Sequence, residues 1–117
     1  MGDAATESIW KAFDVEQELK IQIASGRPYR EFLRVPSLST GIYTLAAGAK
    51  DLQGPHDEDE VYYVIRGRGR LRVDDDRDVA VGPGSVLYVG ASASHSFFEV
   101  EEDMTLLVFF ASGGDPD

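Results

Sequence analysis

The run Gly54-Pro55-His56-Asp57-Glu58-Asp59-Glu60-Val61-Tyr62-Tyr63-Val64-Ile65-Arg66-Gly67 decides how this chain reads. It carries one of only two histidines in 117 residues. Glu60 follows His56 by four positions, and an apolar run then leads to Gly67. Side chains alternate faces along a strand, so two residues an even number apart share a face. The second histidine, His95, lies 39 positions on, in Ala-Ser-Ala-Ser-His-Ser-Phe-Phe-Glu. Both histidines fall in segments that read as buried or half-buried strands. The pattern raises the question of whether His56, Glu60 and His95 meet around a metal ion.

Working outward, the same period recurs. Glu31–Val35, Gly41–Ala46, Val61–Ile65, Gly69–Val73, Val79–Val81, Ser85–Val89, His95–Val100 and Thr105–Phe110 read as short strands. Turn signals separate them: Pro36-Ser37, Asp74-Asp75-Asp76, Gly82-Pro83-Gly84, Gly90-Ala91-Ser92 and Glu101-Glu102-Asp103. About eight strands so spaced predict an all-β, antiparallel sandwich or barrel over roughly residues 30–110. Ahead of it, 14–25 predicts a short N-terminal helix. Asp14 is its N-cap, Glu16 and Glu18 sit in its first turn, and Gly26 is its stop. Val15, Leu19 and Ile23 would form its apolar stripe. Residues 1–8 and 112–117 read as loose ends of a single 1–117 domain.

Composition narrows the function classes. The net charge of −10 repels nucleic-acid phosphates and anionic membrane surfaces, so neither is an expected partner. No stretch reaches the roughly 18–20 apolar residues of a membrane span. The acidic N-terminus lacks the pattern of a secretory signal, and a cytoplasmic location is expected. There are no cysteines, which removes thiolate metal sites, disulfides and cysteine nucleophiles. Any metal must be held by imidazole and oxygen donors.

These residues resemble those of a small single-domain cupin, the RmlC-like jelly-roll superfamily. The family's first motif is Gly, five residues, His-x-His, three or four residues, Glu, six residues, Gly. Here Gly48, Gly54-Pro55-His56, Glu60 and Gly67 keep that spacing, with Gly54 in place of the first histidine. The second motif is Gly, five residues, Pro-x-Gly, two residues, His, three residues, Asn. Gly84, Gly90-Ala91-Ser92, His95 and Glu99 keep its spacing with substitutions at the turn positions. The resemblance covers about residues 40–110 and implies an antiparallel jelly-roll β-barrel. It also implies that His56, Glu60 and His95 are metal ligands, for one divalent transition metal: Fe, Mn, Ni or Zn.

The missing first histidine leaves two readings. The metal keeps extra open positions for water or substrate, or the site is weakened and binds metal poorly. Gln53 could supply a replacement oxygen if Pro55 breaks the strand register; plain alternation puts it on the opposite face. The fold hosts many activities. One reading is therefore a metal-dependent enzyme acting on a small organic molecule in the barrel cavity, of dioxygenase, isomerase, decarboxylase or lyase type. The other is a small-ligand or metal-binding module without turnover. Tyr62 is the candidate proton carrier, and Tyr62, Val64, Phe97 and Phe110 are the candidate pocket walls, with ordinary core packing as their alternative. Arg66, Arg68, Arg70 and Arg72 form either a solvated outer row or an anion-binding wall. Trp10, Phe13, Tyr29 and Phe32 suggest a homodimer, or else a cap on their own barrel.

Overall fold

The computed structural model of the protein describes residues 9–51, 57–74 and 77–111. The terminal stretches read as loose lie outside these residues. The elements run in the order α1 (Val15–Ser25), β1 (Tyr29–Val35), β2 (Leu38–Leu45), β3 (Glu60–Val73), β4 (Arg77–Val81), β5 (Val86–Val89) and β6 (His95–Phe110). All pairings are antiparallel. The strand order is β1-β2-β6-β3-β4, with β5 on the first half of β3. The result is a jelly-roll barrel with one short helix at its N-terminal end.

The helix forms where its caps predict. The Asp14 carboxylate accepts from the backbone N–H groups of Glu16 and Gln17 at 2.9 and 3.2 Å. Gly26 closes the helix in the left-handed conformation, φ 73°, donating its N–H to the Ile23 carbonyl. The buried face differs from the expected stripe. Leu19 is buried, but Ile23 is 64% exposed and Gln22 takes its place inside. Gln22 Nε2 donates to the carbonyls of Arg27 and Pro28 and to Thr44 Oγ1. A polar side chain thus pins α1 to β2, because the chain bends there and leaves carbonyls needing a donor.

The described residues form six strands, where the sequence suggests eight. Val61–Ile65 and Gly69–Val73 belong to one 14-residue strand, and His95–Val100 and Thr105–Phe110 to one of 16 residues. Glu101-Glu102-Asp103 is exposed strand, not a turn. On β3 the buried positions are 60, 62 and 64, then 67, 69 and 71. On β6 they are 95 and 97, then 100, 104, 106, 108 and 110, with Thr105 also buried. Each strand changes parity once along its length. The changes fall where the β3–β6 register shifts, between Val64 and Arg70, and at Glu99, whose φ is 47°. Irregularities of this kind bend a strand and re-aim its side chains, and to a reader of periodicity they look like strand ends.

The core lies between the inward rows of β2, β3 and β6: Leu45, Tyr62, Val64, Leu71, Phe97, Met104, Leu106 and Val108 are all buried. The arginine row faces outward. Arg66 pairs with Glu16, and Arg72 pairs with Asp78 at 2.8 Å and lies over the Phe98 ring. Phe13 packs edge-on against Phe32 with centroids 4.9 Å apart, while Trp10 is 73% exposed.

Gly67 is the tightest point of the bend. Its φ is +95°, and a Cβ there would collide with the backbone at Asp103 and Met104. Gly67→Ala should lower the unfolding free energy by more than about 2 kcal/mol. Gly26→Ala, where a Cβ meets nothing within 4 Å, should cost only about 1 kcal/mol. Urea unfolding of the two variants checks this; equal losses would contradict it.

Candidate metal and ligand site

Glu60 opens β3 opposite Phe110 of β6 and Val89 of β5. His95 opens β6 opposite Val73, at the other end of β3. The two are far apart along the sheet and meet only across the barrel interior. Glu60 Oε2 lies 3.0 Å from His95 Nε2, with both side chains 1% exposed. The bends in β3 and β6 bring them together.

The surroundings fix the imidazole. His95 Nδ1 lies 3.0 Å from the Ala93 carbonyl, which accepts its N–H. That leaves Nε2 turned inward, where the Tyr62 hydroxyl also lies 3.0 Å away. Tyr62 is held in turn by edge contacts to the His95 and Phe97 rings. The hydrogen bond with Glu60 raises the His95 pKa above its ordinary value, against the opposing effect of burial. Glu60 Oε1 is buried and has no hydrogen-bond partner among the described residues.

His56 and Gln53, the other expected ligands, lie outside the described residues. Among the described residues no three His, Asp, Glu or Cys side chains converge on a metal position; Glu60 and His95 do come together. A carboxylate oxygen and an imidazole nitrogen facing each other, one carboxylate oxygen left over, fit the donor chemistry of a divalent transition metal.

Beside this pair lies a cavity of about 660 Å³, walled by Tyr29, Glu31, Arg34, Ser39, Tyr43 and Phe110. Of the four expected pocket walls, Phe110 lines it. Tyr62, Val64 and Phe97 do not; they are at most 1% exposed and belong to the packed core. The cavity does not open on Glu60 or His95 directly, but Phe110, opposite Glu60 in register, and Glu58, two residues before it, form part of its wall.

Three further residues build this region without a signal in the sequence. Tyr43 donates its hydroxyl to Asp51 Oδ1 at 2.7 Å, and Asp51 Oδ2 accepts from the Phe97 N–H at 2.9 Å. This carboxylate ties β2 to β6 two residues past His95. Acidic loop residues are usually solvated, so nothing in the spacing marks Asp51. Tyr29 reaches into the cavity from the first position of β1, where its segment reads as a surface aromatic cluster.

A sequence family described as Cupin domain matches residues 41–110. The chain belongs to the cupin family. An uncharacterised protein of Streptomyces coelicolor is 40% identical to this cupin over 101 residues, spanning 86% of this chain and 95% of its own. The DMSP lyase DddQ from Ruegeria pomeroyi superimposes with a TM-score of 0.65 at 14% identity, over 77% of this cupin and 50% of the lyase. An RmlC-like cupin from Shewanella frigidimarina gives 0.65 at 17% identity, over 74% and 77%. KdgF from Halomonas sp. gives 0.63 at 18%, over 71% and 77%. At these identities the likeness to the solved structures is one of fold. This cupin spans half the length of the Ruegeria lyase. No helix among the described residues is long and apolar enough to cross a membrane.

The His95–Glu60 contact has a pH signature. The folded-state pKa of His95 is raised above 6.5. The pair therefore adds stability that is fully present below about pH 6.5 and fades as pH rises through the raised value. In chelator-treated protein the His95 imidazole proton signals should titrate above pH 6.5, and Glu60→Gln should move that titration down. NMR titration checks it; a wild-type midpoint below 6.5 would contradict the assigned contact.

Proposed function

We propose that this cupin binds one divalent transition metal in the barrel through Glu60 and His95, with His56 as the third ligand by its motif position. We propose further that it acts on a small organic molecule held in the adjoining cavity. The observation that carries the reading is Glu60. Its carboxyl is buried, one oxygen faces His95, and the other has no partner among the described residues. A buried acceptor without a donor costs about 1–3 kcal/mol, a penalty that a cation on Glu60 would remove.

His95 supports the same reading. Its Nδ1–H is given to the Ala93 carbonyl, the outer partner that orients a ligating imidazole and leaves Nε2 for the ion. The absence of cysteine leaves nitrogen and oxygen donors, which suit Fe, Mn, Ni or Zn. When bound, such an ion supplies Lewis-acid polarisation of a substrate oxygen, or an oxygen-binding position if it is iron. The chain's own residues do the rest. Tyr62 sets its hydroxyl beside the ligand pair, 3.0 Å from Nε2. The packed core around Tyr62, Val64 and Phe97 keeps water from the ligand pair. Tyr29, Tyr43 and Phe110 shape the space beside it.

One observation favours a second reading, a ligand-binding barrel without turnover. Tyr62, the candidate proton carrier, is fully buried and lines none of the cavity wall, so it cannot reach a molecule there without rearrangement.

Metal analysis of protein purified without added ions tests the first reading. About one equivalent is expected. Glu60→Ala or His95→Ala should each lower the retained metal at least about tenfold, as removal of a ligand does. Circular dichroism would confirm that the variants stay folded. Wild-type protein holding no transition metal, and gaining none on reconstitution, would overturn the proposal.

A further inference from the structure

We propose that the outer face of the sheet at β3 and β5 is where two copies of this chain meet, in a two-fold dimer centred near Tyr63. The proposal is independent of the metal and of the cavity.

Glu60, Tyr62 and Val64 point inward, so Val61 and Tyr63 point out. In register, Val61 lies between Tyr88 of β5 and Phe109 of β6, and Tyr63 lies between Val86 and Leu107. These residues form a grid across three strands, and none of them is charged, in a chain with 27% charged residues. Past the bend, the outer side of the same strand carries Arg66, Arg68, Arg70 and Arg72. An antiparallel sheet with one face on a core ordinarily turns polar residues to water on the other. A contiguous apolar outer face marks a contact surface. Within one chain the grid stays open: Val86 and Tyr88 are each 66% exposed, and Tyr63 is 39% exposed.

The charges around the grid point to a second copy as its partner. At a net charge of −10, two copies repel one another over most approaches. A grid without carboxylates lets them touch without like-charge contact, and it offers nothing to attract a basic partner. Its two ends carry opposite charge. Asp59 precedes Val61 in the outward row and is held there by accepting the Ala91 N–H at 2.8 Å. Arg66 stands at the far end, opposite Thr105, with its side chain 48% exposed beside Glu16. A two-fold axis lying in the face, at right angles to β3, lays that strand on a reversed copy of itself. Tyr63, near the middle of the row, then meets Tyr63, and Asp59 of each copy faces Arg66 of the other. The face is complementary to itself.

The size of the grid sets the strength of the contact. The open parts of Tyr63, Tyr88 and Val86 amount to roughly 300 Å² per chain. Tyrosine is among the side chains enriched at the anchoring points of interfaces. A contact built on such a core lies below the standard protein–protein interface. The dimer is therefore a weak one, with a dissociation constant on the order of 10–100 μM.

Sedimentation equilibrium of the full chain from about 5 to about 500 μM tests this. The mass should rise with concentration from 12.8 kDa toward twice that value. Val86→Glu and Tyr88→Glu, at well-exposed positions, should leave the melting temperature unchanged within a few degrees and hold the protein at the mass of one chain throughout. Arg66→Asp, which sets carboxylate against carboxylate at both ends of the face, should weaken association at least about fivefold. Trp10→Glu, on the exposed N-terminal segment, should dimerise as the wild type does. The inference is overturned if the wild type keeps the mass of one chain at every concentration, or if Val86→Glu, Tyr88→Glu or Arg66→Asp dimerises as the wild type does. Loss of the dimer in Trp10→Glu would also overturn it, placing the contact on the N-terminal segment.

Discussion

The pairing of β3 with β6, and the change of inward parity along each, is the constraint on which the rest depends. These two strands run the length of the barrel and carry most of its core. If both were regular, Glu60 and His95 would stay at opposite ends of a flat ladder, Glu60 beside Phe110 and His95 beside Val73. A shift of one residue turns a whole inward row to the outer face. Here the shifts bend the ladder instead, with Gly67 pressed against the Asp103 backbone at the corner. The bend keeps an apolar row inside on both sides and folds the two strand starts toward each other.

What they bring together is costly. A carboxyl and an imidazole, both 1% exposed, have lost nearly all contact with water. Buried ionic pairs often stabilise a protein less than apolar residues of the same volume, while removing one partner costs about 3–5 kcal/mol. A barrel selected for stability alone would hold apolar side chains at these positions, as it does further along each strand at Val64 and Phe97. The surrounding bonds also point away from a purely structural pair. Ala93 fixes the ring and Tyr62 crowds the inner nitrogen, yet one Glu60 oxygen has no partner among the described residues.

Much of this was legible in the sequence, and the failures have physical causes. The strand period, the turn residues and the even spacing of the motif residues point to an antiparallel barrel. The motif spacing also draws attention to Glu60 and His95, whose convergence is a matter of strand faces. The caps of α1 read directly, since Asp14 and Gly26 act through local backbone geometry. Gln22 did not read, because its burial depends on carbonyls exposed by a bend some residues away. The division into eight strands failed near Gly67, where a parity change within a strand mimics a strand end, and at Glu101-Glu102-Asp103, whose acidic run reads as a turn but lies on exposed strand. Tyr62, Val64 and Phe97 do face inward, but they are packed in the core, and of the four Phe110 lines the cavity of about 660 Å³. Tyr29, Tyr43 and Asp51 meet their partners across large sequence separations, and no local pattern encodes such contacts.

The functional reading rests on the proposal that Glu60 and His95 close on one cation. The most direct measurement is an anomalous difference map from crystals grown with Mn(II). A single strong peak is expected inside the barrel, about 2.0–2.3 Å from both a Glu60 carboxylate oxygen and His95 Nε2. Crystals that show no peak there, with His95 Nε2 still hydrogen-bonded to Glu60, would contradict it.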